Sequence, residues 1–303
     1  MNGSNPFVMV TGASGFVGGR LALDLAAAGF RVAAVGGSRA PSAAVSQSVE
    51  VAVQCDLSSL SAVRSLVSEI GPDVVIHAAA LARTADCEKD PPTARRANVA
   101  SVRNFAEAGS FNFVLVSTDL VFEGAAAPKG GFKEEDQVSP RSTYAHTKVE
   151  AEQIALESFA NANVARICLV YGNALAGSGG FLLWMRRSLE QGQSVKLFTD
   201  EWRTPIYTGD ICRGIEALIV NETAAKKHKT VHFAGSDRIS RFDFGVAYAA
   251  HFGFDASLIC PSQQSDFSGP VYRSPDVSLC SKLLREEFGV KPLSIEEAFA
   301  AMS

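Results

Sequence analysis

The stretch Thr11-Gly-Ala-Ser-Gly-Phe-Val-Gly18 decides the fold, because it places three evenly spaced glycines between two segments of different periodicity. The apolar run Phe7-Val-Met-Val10 precedes it and predicts a buried strand, and the alanine- and leucine-rich residues 21–28 follow it and predict a helix. Such glycines allow a tight turn, close approach of a pyrophosphate and close helix packing. A simple strand–helix turn is the alternative, but the position at the start of an alternating α/β pattern favours a dinucleotide-binding loop.

The first half of the chain alternates short apolar segments with longer helical ones, which predicts an α/β, Rossmann-type, doubly wound parallel sheet. The alternation stops after residue 171. We therefore expect a dinucleotide-binding domain over residues 1–171 and a smaller, mostly substrate-binding lobe over 172–303, from which some segments return to the first domain. The predicted strands span residues 7–11, 31–35, 49–53, 73–77, 113–117 and 164–170, and the predicted helices span 16–28, 60–70, 92–108, 144–159, 278–288 and 294–302.

Composition excludes several classes of protein. The net charge of −4, without a long basic tract, argues against nucleic acid as a partner. The six cysteines are scattered, with no Cys-x-x-Cys and no histidine at metal spacing, so we expect free thiols and no metal site. No segment approaches the ~20 apolar residues of a membrane span, and Met1 to Pro6 lack the parts of a signal peptide. We expect a soluble, cytoplasmic protein.

Tyr144-Ala-His-Thr-Lys148 carries the predicted chemistry. Residues four apart share one face of a helix. A phenol titrates near ~10, and an adjacent ammonium lowers that pKa by favouring the phenolate. We therefore expect Tyr144 to exchange a proton with a carbonyl or alcohol oxygen near neutral pH. Together with the nucleotide loop, this motif predicts hydride chemistry on a nicotinamide cofactor.

The segment after the second predicted strand indicates the preferred cofactor. An acidic residue about 20 residues beyond the glycine loop would hold the adenosine ribose diol, but this chain has Val35-Gly-Gly-Ser-Arg39 there. Ser38 and Arg39 can instead receive a 2′-phosphate, since a guanidinium pairs well with a dianion. A loop arginine without that role is the alternative. We expect NADP(H) to be preferred, with NAD(H) as the other candidate.

Residues after the third and fourth predicted strands complete the expected cofactor site. Asp56-Leu57 is placed to meet adenine, and three alanines after His77 leave room for the cofactor, although they suit ordinary close packing equally well. The residues that these motifs predict to bind the cofactor are Gly12, Ser14, Gly15, Phe16, Val17, Ser38, Arg39, Asp56, Leu57, Ala78, Ala79, Ala80 and Tyr144.

Taken together, these motifs resemble the extended short-chain dehydrogenase/reductase superfamily over nearly the whole chain. Ser117-Thr-Asp-Leu-Val-Phe-Glu-Gly124 is similar to the Ser-Thr-Asp-Tyr-Val-Phe-Asp-Gly run of the dTDP-4-dehydrorhamnose reductase-like group, with Leu120 in place of the aromatic residue. Arg166-Ile-Cys-Leu-Val-Tyr-Gly172 and Pro205-Ile-Tyr-Thr-Gly-Asp210 continue that similarity. The glycine loop carries Phe-Val where that group usually has Gln-Leu, which is closer to epimerases.

The resemblance implies a role for each catalytic residue. Thr118 would hydrogen-bond the substrate carbonyl, Tyr144 would be the general acid, and Lys148 would hold the cofactor ribose while lowering the tyrosine pKa. Asn98 would join the cofactor-binding residues by supporting the lysine through water, with a helix-surface amide as the alternative.

The resemblance also implies a substrate site for a nucleotide-sugar diphosphate. Arg203 and Arg273 match the arginines that grip the diphosphate in nucleotide-sugar epimerases. A surface arginine is the alternative, more so for Arg273 than for Arg203. The predicted substrate-binding residues are Asp119, Phe181, Arg203 and Arg273.

The implied function is NADP-dependent reduction of a nucleotide-linked 4-keto sugar, in which Tyr144 protonates the oxygen as hydride reaches the carbon. Three alternatives stay open: a nucleotide-sugar epimerase or dehydratase with retained NAD, a reductase of small aldehydes or ketones, and a non-catalytic NADP-binding regulatory subunit. The missing acid after the second strand weakens the first alternative, and the intact Thr118, Tyr144 and Lys148 weaken the last. A homodimer is one candidate assembly, and the sequence leaves the oligomeric state open.

Overall fold

The computed structural model describes residues 5–175, 180–220, 229–269 and 271–303. Part of the N-terminal stretch considered above, residues 1–4, therefore lies outside it. The strands are β1 (Phe7–Thr11), β2 (Arg31–Gly36), β3 (Val51–Gln54), β4 (Val74–His77), β5 (Asn112–Thr118), β6 (Ala162–Ile167), β7 (Val170–Tyr171), β8 (Val195–Phe198), β9 (Trp202–Arg203), β10 (Ile206–Tyr207), β11 (Lys229–Phe233), β12 (Ile239–Ser240) and β13 (Ile259–Ser262).

Serine side chains fix where several of the helices begin. Ser59 and Ser142 each accept a hydrogen bond from the amide three residues on, and Ser294 forms a capping box with Glu297. The helices are α1 (Phe16–Ala27), α2 (Ala43–Ser48), α3 (Leu60–Ile70), α4 (Thr84–Lys89), α5 (Pro91–Arg95), α6 (Ser101–Ala108), α7 (Thr143–Ser158), α8 (Phe181–Glu190), α9 (Thr208–Val220), α10 (Arg241–His251), α11 (Lys282–Phe288) and α12 (Ile295–Met302).

A seven-stranded parallel sheet forms the centre of the fold, in the order β11-β6-β5-β4-β1-β2-β3. The strand order reverses between β1 and β4, and ligands of open α/β sheets bind outside the carboxyl ends of the strands at such a point. The predicted doubly wound fold is confirmed. Strand β11, from beyond residue 171, lies beside β6 at one edge of this sheet.

The sheet is covered on both faces, which explains its nearly continuous apolar strands. In β1, Val8 and Val10 face one layer, built from α1, α9 and α11, whereas Phe7 and Met9 face the other, built from α3, α6 and α7. Burying each such side chain stabilises the fold by roughly 1.5–3 kcal/mol. The sheet is therefore held rigidly between two apolar cores.

A third apolar cluster forms the core of the remaining lobe. It packs helices α8, α10 and α12 against β8 and β13, around Met185, Phe244 and Phe299. The lobe has more helix than the sequence predicted.

The predicted strand 164–170 is broken in two, since β6 ends at Ile167 and β7 pairs separately with β10. Within the described ranges, no helix has both the length and the apolar character needed to cross a membrane.

Candidate active site

The glycine loop between β1 and α1 has the geometry that its spacing predicts. Gly12 adopts a φ of +71°, and a Cβ there would lie 2.7 Å from the amide nitrogen of Ala79. A Cβ on Gly18 would lie 2.5 Å from the carbonyl oxygen of Gly12, so α1 can pack this closely only through glycine. Gly15 is the N-cap of α1 and has no side chain to cap it. The first amides of α1 are therefore left to face a ligand.

A cleft of about 1010 Å³ lies at the carboxyl ends of β1 to β4. All of the predicted cofactor-binding residues except Asn98, Tyr144 and Lys148 line it. Residues that the sequence analysis missed also line it, among them the exposed Arg96, which donates to Thr93 Oγ1 at 2.5 Å. Ligand cavities run to roughly 300–1,000 Å³, so this cleft has room for a dinucleotide.

A buried polar network supports the floor of this cleft. Thr11 Oγ1 accepts from the Ala79 amide at 3.2 Å and lies 3.0 Å from His77 Nδ1, while His77 Nε2 lies 3.1 Å from Ser101 Oγ. Since Ser101 donates its own proton to the carbonyl oxygen of Ala97, His77 must donate through Nε2 and accept through Nδ1. Burial lowers the pKa of His77 to about 3, and the nearby ammonium of Lys148 adds to this. The ring is neutral and structural.

Tyr144 and Thr118 meet beside this cleft. Thr118 ends β5 and Tyr144 lies in the first turn of α7, and the Thr118 side chain is close enough to act on the pKa of the phenol. The phenol packs with Cys87, Ala94 and the cleft-lining Leu81 in a small apolar cluster. The structure therefore brings the predicted hydroxyl and the predicted phenol together.

The expectation of a lowered Tyr144 pKa is wrong for this structure. Burial raises the pKa of Tyr144 well above its ordinary value, and the charges of Asp119 and Cys87 raise it further, while the Thr118 hydrogen bond opposes the rise. The ammonium of Lys148 donates instead to the carbonyl oxygen of Val116 at 2.8 Å. Tyr144 is accordingly a protonated phenol over the whole physiological range.

Lys148 is itself strongly affected by its position. Only 2% of the residue is exposed, and this burial lowers its pKa to about 8, against the charge of Glu152, which raises it. Glu152 is held in turn by Arg166, whose Nη2 lies 2.8 Å from it, and by Ser117 Oγ at 2.5 Å. Glu152 thus ties α7, which carries Tyr144 and Lys148, to β6 through the buried ion pair and to the end of β5 through Ser117.

Asn98 lies outside the cleft lining and contacts protein on all sides. Its Oδ1 accepts from the Leu81 amide at 2.7 Å, and its Nδ2 donates to the Leu81 carbonyl oxygen at 3.2 Å and to Thr147 Oγ1 at 2.9 Å. It lies in the π-helical turn Arg96–Ala100, which interrupts the single predicted helix over 92–108. The helix-surface alternative is wrong, because Asn98 is only 1% exposed.

Asp119 lies between the catalytic pair and the second lobe. Thr118 Oγ1 donates to its Oδ1 at 3.1 Å, and Arg203 Nε lies 3.9 Å from its Oδ2. Burial raises the pKa of Asp119 to about 6, although the guanidiniums of Arg203 and Arg241 lower it. Among the predicted substrate residues, Asp119 and Arg203 are thus brought together beside the Thr118 hydroxyl.

The other predicted substrate residues lie around Glu201, a carboxylate that the sequence analysis missed. Arg273 Nη1 donates to Glu201 at 3.1 Å, and Phe181, the first residue of α8, stacks under Arg241 with 4.7 Å between ring centroid and Cζ. Neither Glu201 nor Arg241 belongs to a motif, and only the tertiary fold brings them together.

Comparison with known proteins agrees with this geometry. A family model described as RmlD substrate binding domain matches residues 7–303. The dTDP-4-dehydrorhamnose reductase of Mycolicibacterium smegmatis is 29% identical over 97% of this chain and 85% of its own. The methionine adenosyltransferase 2 subunit beta of Danio rerio is 25% identical over 76% and 72%.

The solved structures share the fold. A dTDP-4-dehydrorhamnose reductase from Bacillus anthracis, solved in complex with NADP, superimposes with a TM-score of 0.85 at 22% identity over 98% of both chains. The motifs, the sheet order and the match over residues 7–303 point the same way. The chain therefore belongs to the RmlD substrate binding domain family, the dTDP-4-dehydrorhamnose reductase-like group of the extended short-chain dehydrogenase/reductase superfamily.

Proposed function

We propose that this chain is an NADP-dependent reductase of a nucleotide-linked 4-keto sugar. One observation carries the proposal: the dinucleotide-sized cleft and the Thr118–Tyr144 pair lie side by side at the carboxyl end of one sheet, joined through Leu81. The names of relatives such as the Mycolicibacterium smegmatis reductase support the sugar class.

The residues of the cleft fit NADP. The α1 N-terminus at Gly15 has uncapped amides for a pyrophosphate, and Gly12 keeps the loop free of a Cβ. Arg39 and Ser38 line the end of the cleft beyond β2, where a 2′-phosphate would meet a guanidinium. Leu57 and Asp56 border the same end beyond β3, as expected for residues beside the adenine.

The mechanism follows from the protonation states. Bound NADPH supplies the hydride. Tyr144 holds its proton because its pKa is raised, and a protonated phenol is the form that donates to a carbonyl oxygen. Thr118 positions the same oxygen through its hydroxyl. Lys148 keeps its charge below pH 8 and lies on the same helix face as Tyr144, from which it supports the developing alkoxide and the cofactor ribose.

Steady-state oxidation of NADPH with dTDP-4-dehydrorhamnose as substrate tests the proposal. We expect turnover with NADPH, slower turnover with NADH, and turnover lowered by ~10²–10⁴ in a Tyr144→Phe variant that still binds NADPH. A protein that binds NADPH and reduces no nucleotide-linked keto sugar would reject the proposed substrate.

A regulatory role is the second candidate, because methionine adenosyltransferase 2 subunit beta is among the relatives. Capture of a catalytic partner by NADPH-loaded protein, without keto-sugar turnover, would favour it. The buried Thr118, Tyr144 and Lys148 support catalysis instead. Burial lowers the pKa of Lys148 and destabilises the fold, and a helix with a purely structural role would gain nothing from such a residue.

We also propose that the protein works in the cytoplasm as a homodimer without nucleic acid. All six cysteines are free thiols, which suits a reducing compartment. The net charge of −4 suits neither nucleic acid nor an anionic membrane surface. Light scattering of the purified protein measures the assembly, and a monomeric mass would reject the dimer.

A further inference from the structure

The cofactor cleft carries a second cation, which belongs to none of the sequence motifs considered above. Three of the described residues that line the cleft are charged, namely Arg39, Asp56 and Arg96. Arg39 follows β2, whereas Arg96 lies in the helical connection between β4 and β5. Strands β2 and β4 flank β1 on opposite sides. The cleft therefore has one arginine on each side of the glycine loop that follows β1.

Arg96 is anchored within its own helical segment. Its Nη2 donates to Thr93 Oγ1 at 2.5 Å, and that hydroxyl donates in turn to Asp90 Oδ2 at 2.6 Å. Asp90 is the N-cap of α5, and its Oδ1 accepts from the Thr93 amide at 3.0 Å. Thr93 itself lines the cleft. One end of the Arg96 guanidinium is thus held at the cleft wall by a fixed hydroxyl.

The neighbouring arginines of this segment are used differently. Arg95 and Arg103 both bind Glu150 on α7, at 2.8 and 3.2 Å. Among the described residues, Thr93 Oγ1 is the only acceptor of a hydrogen bond from the Arg96 side chain, and no carboxylate forms a direct ion pair with it. The side chain is exposed. Its Nε and Nη1 donors are therefore available to a ligand in the cleft.

The side of the cleft on which Arg96 lies indicates which part of a dinucleotide it would contact. In this architecture the pyrophosphate binds at the switch point of the sheet, against the first amides of the helix that follows β1. Gly15 leaves those amides without a side-chain cap. The backbone of residues 78 and 79, which follows β4, lies directly against Gly12. Arg96 belongs to the same β4 side, so the pyrophosphate subsite has backbone donors on one wall and a guanidinium on the other.

We propose that Arg96 binds the pyrophosphate of the cofactor, a role separate from that of Arg39 at the 2′-phosphate. The inference rests on the cofactor part of the proposed function and does not depend on the sugar. A guanidinium forms charge-assisted, often bidentate hydrogen bonds with phosphate oxygens. The anchor on Thr93 also reduces the side-chain freedom that binding must remove. Because NADPH and NADH share the pyrophosphate, Arg96 strengthens the binding of both and does not select between them.

Direct binding of three ligands to an Arg96→Gln variant tests this inference. The ligands are NADPH, NADH and 2′-AMP, and 2′-AMP has the adenine and the 2′-phosphate but no pyrophosphate. Loss of one charge-assisted contact corresponds to a loss of affinity of roughly tenfold or more. In calorimetric titrations we expect that loss for NADPH and NADH alike, with unchanged affinity for 2′-AMP. Arg39→Ala should give the complementary result, with weaker binding of NADPH and 2′-AMP and nearly unchanged binding of NADH.

Arg95→Gln is the matched control. Arg95 is adjacent in sequence and also exposed, but it binds Glu150 and does not line the cleft. This variant should bind all three ligands like the wild type. Glutamine, lysine and arginine have similar helix propensities, so these exposed substitutions should leave the fold intact. Arg96→Lys keeps the charge and loses the planar fork, and it should recover part of the lost affinity for both dinucleotides.

The pattern across the three ligands decides the outcome. Weaker binding of NADPH but not of NADH would assign Arg96 to the 2′-phosphate, and weaker binding of all three ligands would assign it to the adenosine. Either result would overturn the inference, as would unchanged affinity of Arg96→Gln for both dinucleotides. Wild-type protein that binds neither dinucleotide would overturn the cofactor part of the proposed function and this inference with it. Arg96-dependent binding of both, without keto-sugar turnover, would support the inference and reject only the proposed reaction.

Discussion

Asn98 holds both polar groups of the Leu81 main chain, accepting from its amide at 2.7 Å and donating to its carbonyl oxygen at 3.2 Å. The same Nδ2 donates to Thr147, whose hydroxyl donates to the carbonyl oxygen of Tyr144. Because Leu81 lines the cofactor cleft and packs against Tyr144, this single amide links the cofactor site to the catalytic helix.

Replacing Asn98 by leucine should therefore have two effects: the edge of the cleft at Leu81 should loosen, and α7 should shift. The buried Leu81 groups would lose their partners, at about 1–3 kcal/mol each. We expect weaker NADPH binding, slower turnover and a lower melting temperature, measured by calorimetry, kinetics and thermal unfolding. Unchanged NADPH affinity in a folded variant would show that Asn98 does not support the cleft.

Tyr144→Phe removes only the transferable proton. General acid catalysis typically contributes ~10²–10⁴ in rate, so turnover should fall by that factor while the NADPH dissociation constant stays nearly constant. Wild-type turnover in this variant would remove Tyr144 from the mechanism. The wild-type rate should show no alkaline limb from Tyr144 itself, since its pKa is raised far above the assay range.

Lys148→Met should lower the activity of the protein and raise its stability. We expect loss of both rate and NADPH affinity, because one ammonium serves both. In the ligand-free protein the variant should be more stable at pH 7 by roughly 1–3 kcal/mol, since the folded-state pKa of Lys148 is lowered to about 8 and its burial as a charged group is unfavourable.

The sign of that effect can be checked by pH. Where the folded pKa of a cation is lowered, the unfolded chain binds more protons between the two pKa values, so wild-type stability should rise with pH from about 8 towards 10.5. Denaturant unfolding of both proteins across this window measures it. A Lys148→Met variant with the same rise, or one less stable at pH 7, would contradict the assignment.

Arg39→Ala tests the cofactor preference. A charge-assisted contact with the 2′-phosphate contributes about 1.5–3 kcal/mol, enough for a tenfold or larger preference for NADPH. The variant should lose much of that preference while its NADH affinity barely changes. Titration of both cofactors against both proteins decides this, and equal wild-type affinities for the two would rule out the role of Arg39.

Most of the sheet and the cofactor cleft could be predicted from the sequence, because their signals are local. Gly18 is required by its close contact with Gly12 in the same turn, and Gly12 by its own φ of +71°. The strands show the apolar character that burial on both faces demands. Tyr144 and Lys148 share a helix face simply through their spacing.

The parts that could not be predicted depend on contacts between distant segments. The pKa of Tyr144 is raised by burial in a pocket that includes Cys87 and Asp119. The sequence spacing between Tyr144 and Lys148 does not show that Tyr144 is buried. Glu201 and Arg241 are 40 residues apart and meet only when β9 and β12 pair.

The central claim is that hydride passes from NADPH to a keto carbon on a nucleotide-linked sugar. The most direct measurement uses NADPH deuterated at the transferable nicotinamide position, with dTDP-4-dehydrorhamnose as substrate and mass spectrometry of the nucleotide-sugar product. We predict a reduced product that carries one deuterium at the former keto carbon in the wild type, and ~10²–10⁴ times less of that product with Tyr144→Phe over the same initial-rate period. Unreduced substrate after prolonged incubation with NADPH-saturated wild-type enzyme, or a reduced product without deuterium, would contradict the account.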